Sequence, residues 1–305
     1  MMKKIYLTVI SLAFLLASCN KWLDINPELE IRNDDMYSME QGFMDVLTGA
    51  YIRMATPSLY GCNTTVRLPE LMANHWSVAS TSTGTVEDYV TRFDFTQSST
   101  KSLLETIWLQ YYQVIVNLNA LLAEIEDKKD LFTDGNYELI KGEALGLRAF
   151  LHFEVYRMFS PDVKRAPKSD GIPYNKEFGV SLPPMYSAEE TIQLIINDLK
   201  EAEQCLQNDP IEDVVPYEIR TTTDQGEVID AAAKDAADQY IARINLYSVK
   251  ALLARAYQAR GENDLAIQKA QEVIDCGKFR LLEFSSIDQS EALTDLTFSD
   301  EHIFS

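Results

Sequence analysis

A mainly α-helical protein, built of antiparallel helical hairpins and joined by long irregular loops, is predicted by three patterns in this sequence. Residues 245–279 place the small side chains Ala254, Ala266 and Ala270 where two helices must approach, with Tyr257 in the groove beside them and Gly261 at the turn. Residues 137–159 carry two apolar stripes, one of Ile140, Ala144, Leu147, Leu151, Val155 and Met158 and one of Ala149, Phe153 and Tyr156, as a helix enclosed between others requires. Further on, Ser187 and Glu190 have the spacing of a capping box and open a helix on which Ile192, Ile195, Leu199, Ala202 and Leu206 alternate by three and four.

The 305 residues, 46% of them hydrophobic, suffice for a sizeable core in one large domain or two smaller ones. A formal net charge of -20 argues against a nucleic-acid partner, because gripping phosphates takes clustered Lys and Arg. Residues 1–18 read as a lipoprotein signal peptide: Lys3 and Lys4 start it, 5–17 form its apolar run, and Leu16-Ala17-Ser18-Cys19 has the form of a lipobox. Cleavage there makes Cys19 the first mature residue and the lipidation site, anchored by acyl chains worth roughly 0.8 kcal/mol per buried methylene. The alternative is a cleaved secretory signal in which Cys19 is incidental. Residues 19–33 then form a tether that Pro27 keeps extended, and 34–305 form the helical domain.

Taken in order, 34–54 reads as the first scaffold helix, with Phe43, Leu47, Ala50 and Met54 at helical spacing. Residues 56–100 break that pattern with Pro57, Gly61, Pro69 and Gly84; Tyr89, Phe93 and Phe95 give this stretch apolar anchoring, read as a short strand. Helical spacing resumes over 103–125, with Trp108, Tyr112, Ile115, Asn119 and Leu122 along one side. The helices of 137–159 and 187–206 form a looser hairpin around a Pro-containing insert at 160–184. Residues 207–240 are acidic and read as a solvated excursion, and Gly277 closes the last hairpin as a left-handed cap. One hairpin cannot bury its own apolar face, so these hairpins must stack.

The small/large pattern of Leu253, Ala254, Tyr257, Gly261, Ala266, Ala270 and Val273 resembles a tetratricopeptide repeat. The chain as a whole resembles the SusD/RagB family of outer-membrane nutrient-binding lipoproteins. The matching pieces are the lipobox followed by Trp22-Leu23-Asp24 and Pro27, then Gly49-Ala50-Tyr51, then Trp108, Tyr112, Ile115 and Asn119. They continue with Glu143, Leu147-Arg148-Ala149-Phe150, Asp198-Leu199 with Ala202, and Ala251-Leu252-Leu253-Ala254-Arg255 leading into Tyr257, Gly261 and Ala266. This resemblance implies a SusD-like α-α superhelix, capture of oligosaccharide or another nutrient at the cell surface, and delivery to a SusC-like TonB-dependent transporter in the outer membrane. Family members continue past Glu301-His302-Ile303-Phe304-Ser305 into a C-terminal portion, so the chain is expected to be a truncated member.

No nucleophile elbow, phosphate-cradling glycine loop, HExxH or paired CxxC is present, and no cofactor or metal is expected. Cys62, Cys205 and Cys276 are too few and too scattered for a disulfide framework, and the latter two read as small buried hydrophobes. His152, among Leu151, Phe153 and Val155, reads as a core histidine rather than a base. The ligand-binding candidates are Asn74, His75 and Trp76: an indole stacks on the C–H face of a sugar while amide and imidazole reach its hydroxyls. Against this stands Trp76 as an inward-folded loop anchor. The leading expectation is therefore a non-enzymatic glycan-binding lipoprotein. Its competitors are a helical-repeat adaptor for a protein or peptide and an all-helical glycan hydrolase.

Overall fold

The computed structural model describes residues 33–79, 82–213, 242–279, 281, 302 and 303. The signal segment 1–18, Cys19 with almost all of its tether, and most of the acidic run 207–240 lie outside the described residues. The chain divides into two compact units, Met1–Ser38 and Met39–Ser305. Within the first, α1 (Asn33–Met36) is a single turn, and the Ser38 hydroxyl donates to the Asp35 carbonyl at 2.6 Å. The single helix expected over 34–54 is thus divided, since Met39 takes extended backbone (φ -147°, ψ 155°) as the N-cap of α2 (Glu40–Met54). The rest of the pattern holds, with Phe43, Leu47, Ala50 and Met54 buried along α2.

Residues 56–79 and 82–97 hold only short helical pieces. A π-helical turn (Asn63–Arg67) runs into α3 (Leu68–Met72), and α4 (Val86–Thr91) follows. The strand expected near Tyr89 is α4 instead: the Thr85 hydroxyl accepts from the Asp88 N–H at 3.3 Å, and Glu87 and Asp88 favour the helix start. Phe93, at φ 56°, then turns the chain.

The core is built on α5 (Ser98–Ile125) and α6 (Asn136–Phe159). The buried stripe of α5 is Ile107, Tyr111, Val114, Leu118, Leu121 and Ile125; on the expected side Ile115 and Asn119 are fully buried, while Trp108, Tyr112 and Leu122 are half-buried. On α6 nearly every side chain from Tyr137 to Tyr156 is buried, as its two stripes require. The insert after it contains an antiparallel pair, β1 (Asp170–Pro173) with β2 (Met185–Ser187), whose register is irregular between Asp170 and Pro173. The expected capping box opens α7 (Ala188–Cys205): the Ser187 hydroxyl accepts from the Glu190 N–H at 3.2 Å, and the Ser187 N–H donates to Glu190 Oε2 at 2.9 Å.

Helix α7 packs along α6, and α8 (Leu246–Arg260) packs against both. The approach of α6 to the start of α8 demands glycine at Gly146, where a Cβ would lie 2.8 Å from Ile244 Cγ2. Gly261, at φ 94°, caps α8 in the left-handed region and turns the chain into α9 (Asn263–Ile274), and Gly277 at φ 67° follows it. Tyr257 is buried at this hairpin as expected. No residue of α9 is buried among the described residues, and Ile267 and Ile274 are 66% and 69% exposed.

Two buried polar networks hold these helices in register. In the first, Glu143 on α6 accepts the Tyr51 hydroxyl from α2 at 2.6 Å and Arg243 Nε at 3.0 Å, with Arg243 Nη2 on its other oxygen. The Tyr51 oxygen in turn accepts the Ile244 N–H at 3.0 Å. In the second, Asp198 on α7 accepts Arg148 Nε at 2.8 Å, the Tyr174 hydroxyl at 2.7 Å and Lys176 Nζ at 2.9 Å. Burial pushes the Asp198 carboxyl up, but the Arg148 and Lys176 charges outweigh it and hold it below the ordinary range. Arg148 also donates to Asn119 Oδ1 at 3.1 Å, and the Asn119 amide donates to the Asn175 carbonyl at 3.0 Å.

His152 belongs to this second network as a core residue. The Asn175 N–H donates to its Nε2 at 3.0 Å, so the proton sits on Nδ1, which donates to the Arg148 carbonyl at 2.9 Å. Its ring stacks on Tyr174 with centroids 3.9 Å apart, and burial lowers its pKa to about 3. Cys205 and Cys276 are half-buried rather than fully buried, and burial raises both thiols.

Candidate functional site

The irregular segment between α2 and α5 forms an open pocket of about 410 Å³. Its position follows from local chemistry. Leu68 and Leu71 are buried and hold α3 down, and Asn74, in the left-handed region at φ 56°, reverses the chain just after it. The His75 N–H donates to the Glu70 carbonyl at 3.0 Å, and His75 Nδ1 pairs with Glu70 Oε2 at 2.7 Å. These bonds fix the turn that presents Trp76, whose side chain is 55% exposed on the pocket wall.

Among the described residues, the same pocket is lined by one cation and one anion. Arg67, from the π-helical turn, directs Nε and Nη2 to Glu87 Oε1 at 3.1 and 2.6 Å and Nη1 to Asn63 Oδ1 at 3.1 Å. Glu87 comes from the first turn of α4, and both side chains stay partly open to solvent, at 33% and 38%. Partial burial raises the Glu87 carboxyl, but the Arg67 hydrogen bond and charge outweigh it, so the net shift is downward. Ser77, Ser82 and Thr85 add hydroxyls, while Val66, Leu71 and Val78 add apolar wall.

Of the three residues singled out in the sequence, Trp76 lines this pocket, while Asn74 and His75 are exposed in the turn preceding it. Arg67 and Glu87 escaped sequence reasoning because twenty residues of irregular chain separate them. The only signal available was an Arg and a Glu flanking a Trp-containing stretch of high polarity. An aromatic face beside a donor–acceptor pair and several hydroxyls is chemistry for a polyhydroxylated ligand. Among the described residues, no group of three or more His, Cys, Asp or Glu could hold a metal ion.

A second groove, lined by Leu104, Glu105, Trp108, Leu109 and Phe159, lies where α5 meets the end of α6. Its walls are apolar, with Trp108 and Phe159 edge to face at 5.1 Å.

Known proteins resemble this chain in sequence and in fold. The sequence model of a SusD-like family, described as starch-binding and associating with the outer membrane, matches residues 21–246. A SusD-like protein of Formosa agariphila is 26% identical over 203 residues, which are 66% of this chain and 37% of that protein. Among solved structures, a SusD superfamily protein of Bacteroides thetaiotaomicron is similar with a TM-score of 0.61 at 18% identity, over 81% of this chain and 49% of that one. A SusD-like carbohydrate binding protein of Bacteroides vulgatus is similar with a TM-score of 0.57 at 20% identity, over 81% of this chain and 47% of that one. The chain therefore spans half or less of the length of these relatives. At such identities the structural likeness speaks for the mainly helical fold alone. The sequence match goes further, because 21–246 takes in the Trp76 pocket, both buried networks and the α6–α7 hairpin: this chain belongs to the SusD/RagB family.

Proposed function

We propose that the protein binds an oligosaccharide in the Trp76 pocket, without catalysis, and hands it to a SusC-like TonB-dependent transporter of the outer membrane. The observation that carries the reading is the half-exposed Trp76 indole lining one open pocket together with the Arg67–Glu87 pair. Stacking supplies the apolar contact, and the ion pair and hydroxyls supply orientation. The family's description as starch-binding and associating with the outer membrane supports both the ligand class and the location. The reading of Cys19 as a lipidated first residue, drawn from the lipobox, supplies the means of attachment.

Calorimetry with a panel of oligosaccharides, with product analysis on the same samples, tests this reading. Binding without cleavage that falls in Trp76→Ala is the expected result; cleavage identifies a hydrolase and sinks the reading. Co-purification with a TonB-dependent barrel tests delivery. Cys19→Ala is expected to release the protein from membranes, and mass spectrometry of an unacylated wild-type start would refute the anchor. The helical-repeat adaptor remains the second reading, favoured by the exposed outer face of α9, and capture of a protein partner with no glycan binding would establish it.

A further inference from the structure

We propose that Glu87 sets the charge class of the glycan, so that the pocket admits neutral sugars and rejects those bearing uronate or sulfate groups. This rests on the glycan-binding reading of the same pocket. Arg67 is the one cation among the described lining residues, and a free guanidinium there would be a natural receptor for a carboxylate or sulfate, gripped by two parallel N–H bonds. Here the fork is already engaged. Nε and Nη2 both point to Glu87 Oε1, and Nη1 is committed to Asn63. An anionic sugar would have to displace Glu87 or sit beside it, and like charges in contact are strongly disfavoured.

The same geometry suits a neutral sugar. Three of the five guanidinium N–H groups are engaged, so others can donate to hydroxyl oxygens, and Glu87 Oε2, which takes no bond from the guanidinium, can accept from a sugar hydroxyl alongside the Thr85 hydroxyl and Glu87 N–H that also bond the carboxylate. A vicinal diol is both donor and acceptor and fits such a pair, while its carbon face lies on Trp76. The ionised state of Glu87, favoured by Arg67, keeps the acceptor in place at neutral pH. The background charge of -20 also repels anions, but charges beyond roughly 8 Å are screened at physiological salt, so contact with Glu87 dominates there.

The test measures binding of neutral hexasaccharides of glucose, xylose and galactose, and of hexasaccharides of galacturonate and sulfated galactose, to the full chain at low and high salt. Wild type is expected to bind at least one neutral member, with every acidic member weaker by about tenfold or more at both salts. Glu87→Gln keeps the size of the side chain but frees the Arg67 charge, and is expected to shrink or invert that ratio by about tenfold with its melting temperature retained. Arg67→Gln leaves Glu87 as the sole lining charge and is expected to keep or widen the discrimination, which preserves the test should Glu87→Gln fail to fold. Acidic sugars bound as tightly as neutral ones by wild type, an unchanged ratio in folded Glu87→Gln, or relief of discrimination in Arg67→Gln would each overturn the proposal. Failure of the underlying reading looks different: no member binds, or binding is indifferent to Trp76→Ala, and the charge filter falls with it.

Discussion

Tyr51 and Glu143 stand 92 residues apart in sequence and meet inside the protein, the phenol donating to the carboxylate at 2.6 Å. The same phenol oxygen accepts the Ile244 N–H, so one hydroxyl connects α2, α6 and the entry to α8. Tyr51→Phe removes this junction and leaves a main-chain donor without its acceptor. The expected loss is about 1–3 kcal/mol, read as a lower urea midpoint at unchanged slope.

Asp198 carries the second junction and is nearly solvent-free, as is Arg148 beside it. Asp198→Ala strands the guanidinium and the Tyr174 hydroxyl together, and about 3–5 kcal/mol of stability is expected to go with it. Replacing both partners by apolar residues, Arg148→Met with Asp198→Leu, is expected to cost less than Asp198→Ala alone. A double variant that proves the less stable of the two would show that the pair contributes more than it costs to desolvate.

Acid should destabilise the protein through His152 before most carboxylates titrate. Its folded pKa is lowered to about 3 from an ordinary 6.5, so below pH 6.5 the unfolded chain takes up a proton that the folded one refuses. Stability is therefore fully present above the ordinary value and falls as pH drops towards the folded one, by up to about 1.4 kcal/mol per pH unit. Denaturation curves between pH 6.5 and 5 check the slope, and His152→Gln should flatten it.

Trp76→Ala is expected to leave stability within about 0.5 kcal/mol, because the indole is more than half exposed. Glycan affinity should fall by about tenfold or more, the scale of losing a central aromatic contact. A loss of several degrees in melting temperature with normal binding in the folded fraction would make Trp76 a loop anchor instead.

How much of this was legible depends on whether a residue's role repeats along the chain. The α6–α7 hairpin was readable because burial recurs every three to four residues, the α8–α9 hairpin because of its small residues and the Gly261 turn, and the Ser187–Glu190 capping box because its two partners are local. His152 was readable as core from its apolar neighbours, but its stacking on Tyr174 was not, since Tyr174 arrives from the insert. Strands β1 and β2 were missed because Asp170-Gly171-Ile172-Pro173 and Met185-Tyr186-Ser187 are too short to alternate. The pocket was half legible: an aromatic in a long polar segment drew notice to Trp76, whereas the Arg67–Glu87 pair depends on how a non-periodic segment folds.

The insert between β1 and β2 is gripped mostly through its peptide groups: the Tyr112 hydroxyl donates to the Pro173 carbonyl, Asn119 to those of Asn175 and Glu177, and His152 accepts the Asn175 N–H. Beyond that grip the loop tip stands clear, with Val180 and Leu182 at 103% and 93% exposure. Among the insert's side chains the scaffold reads Tyr174 and Lys176, through Asp198, and the exposed tip beyond them lies outside that reading. The tip at 178–184 is therefore a cassette, a place where the sequence can drift, or be rewritten by hand with an epitope, at little expense to the helices beneath.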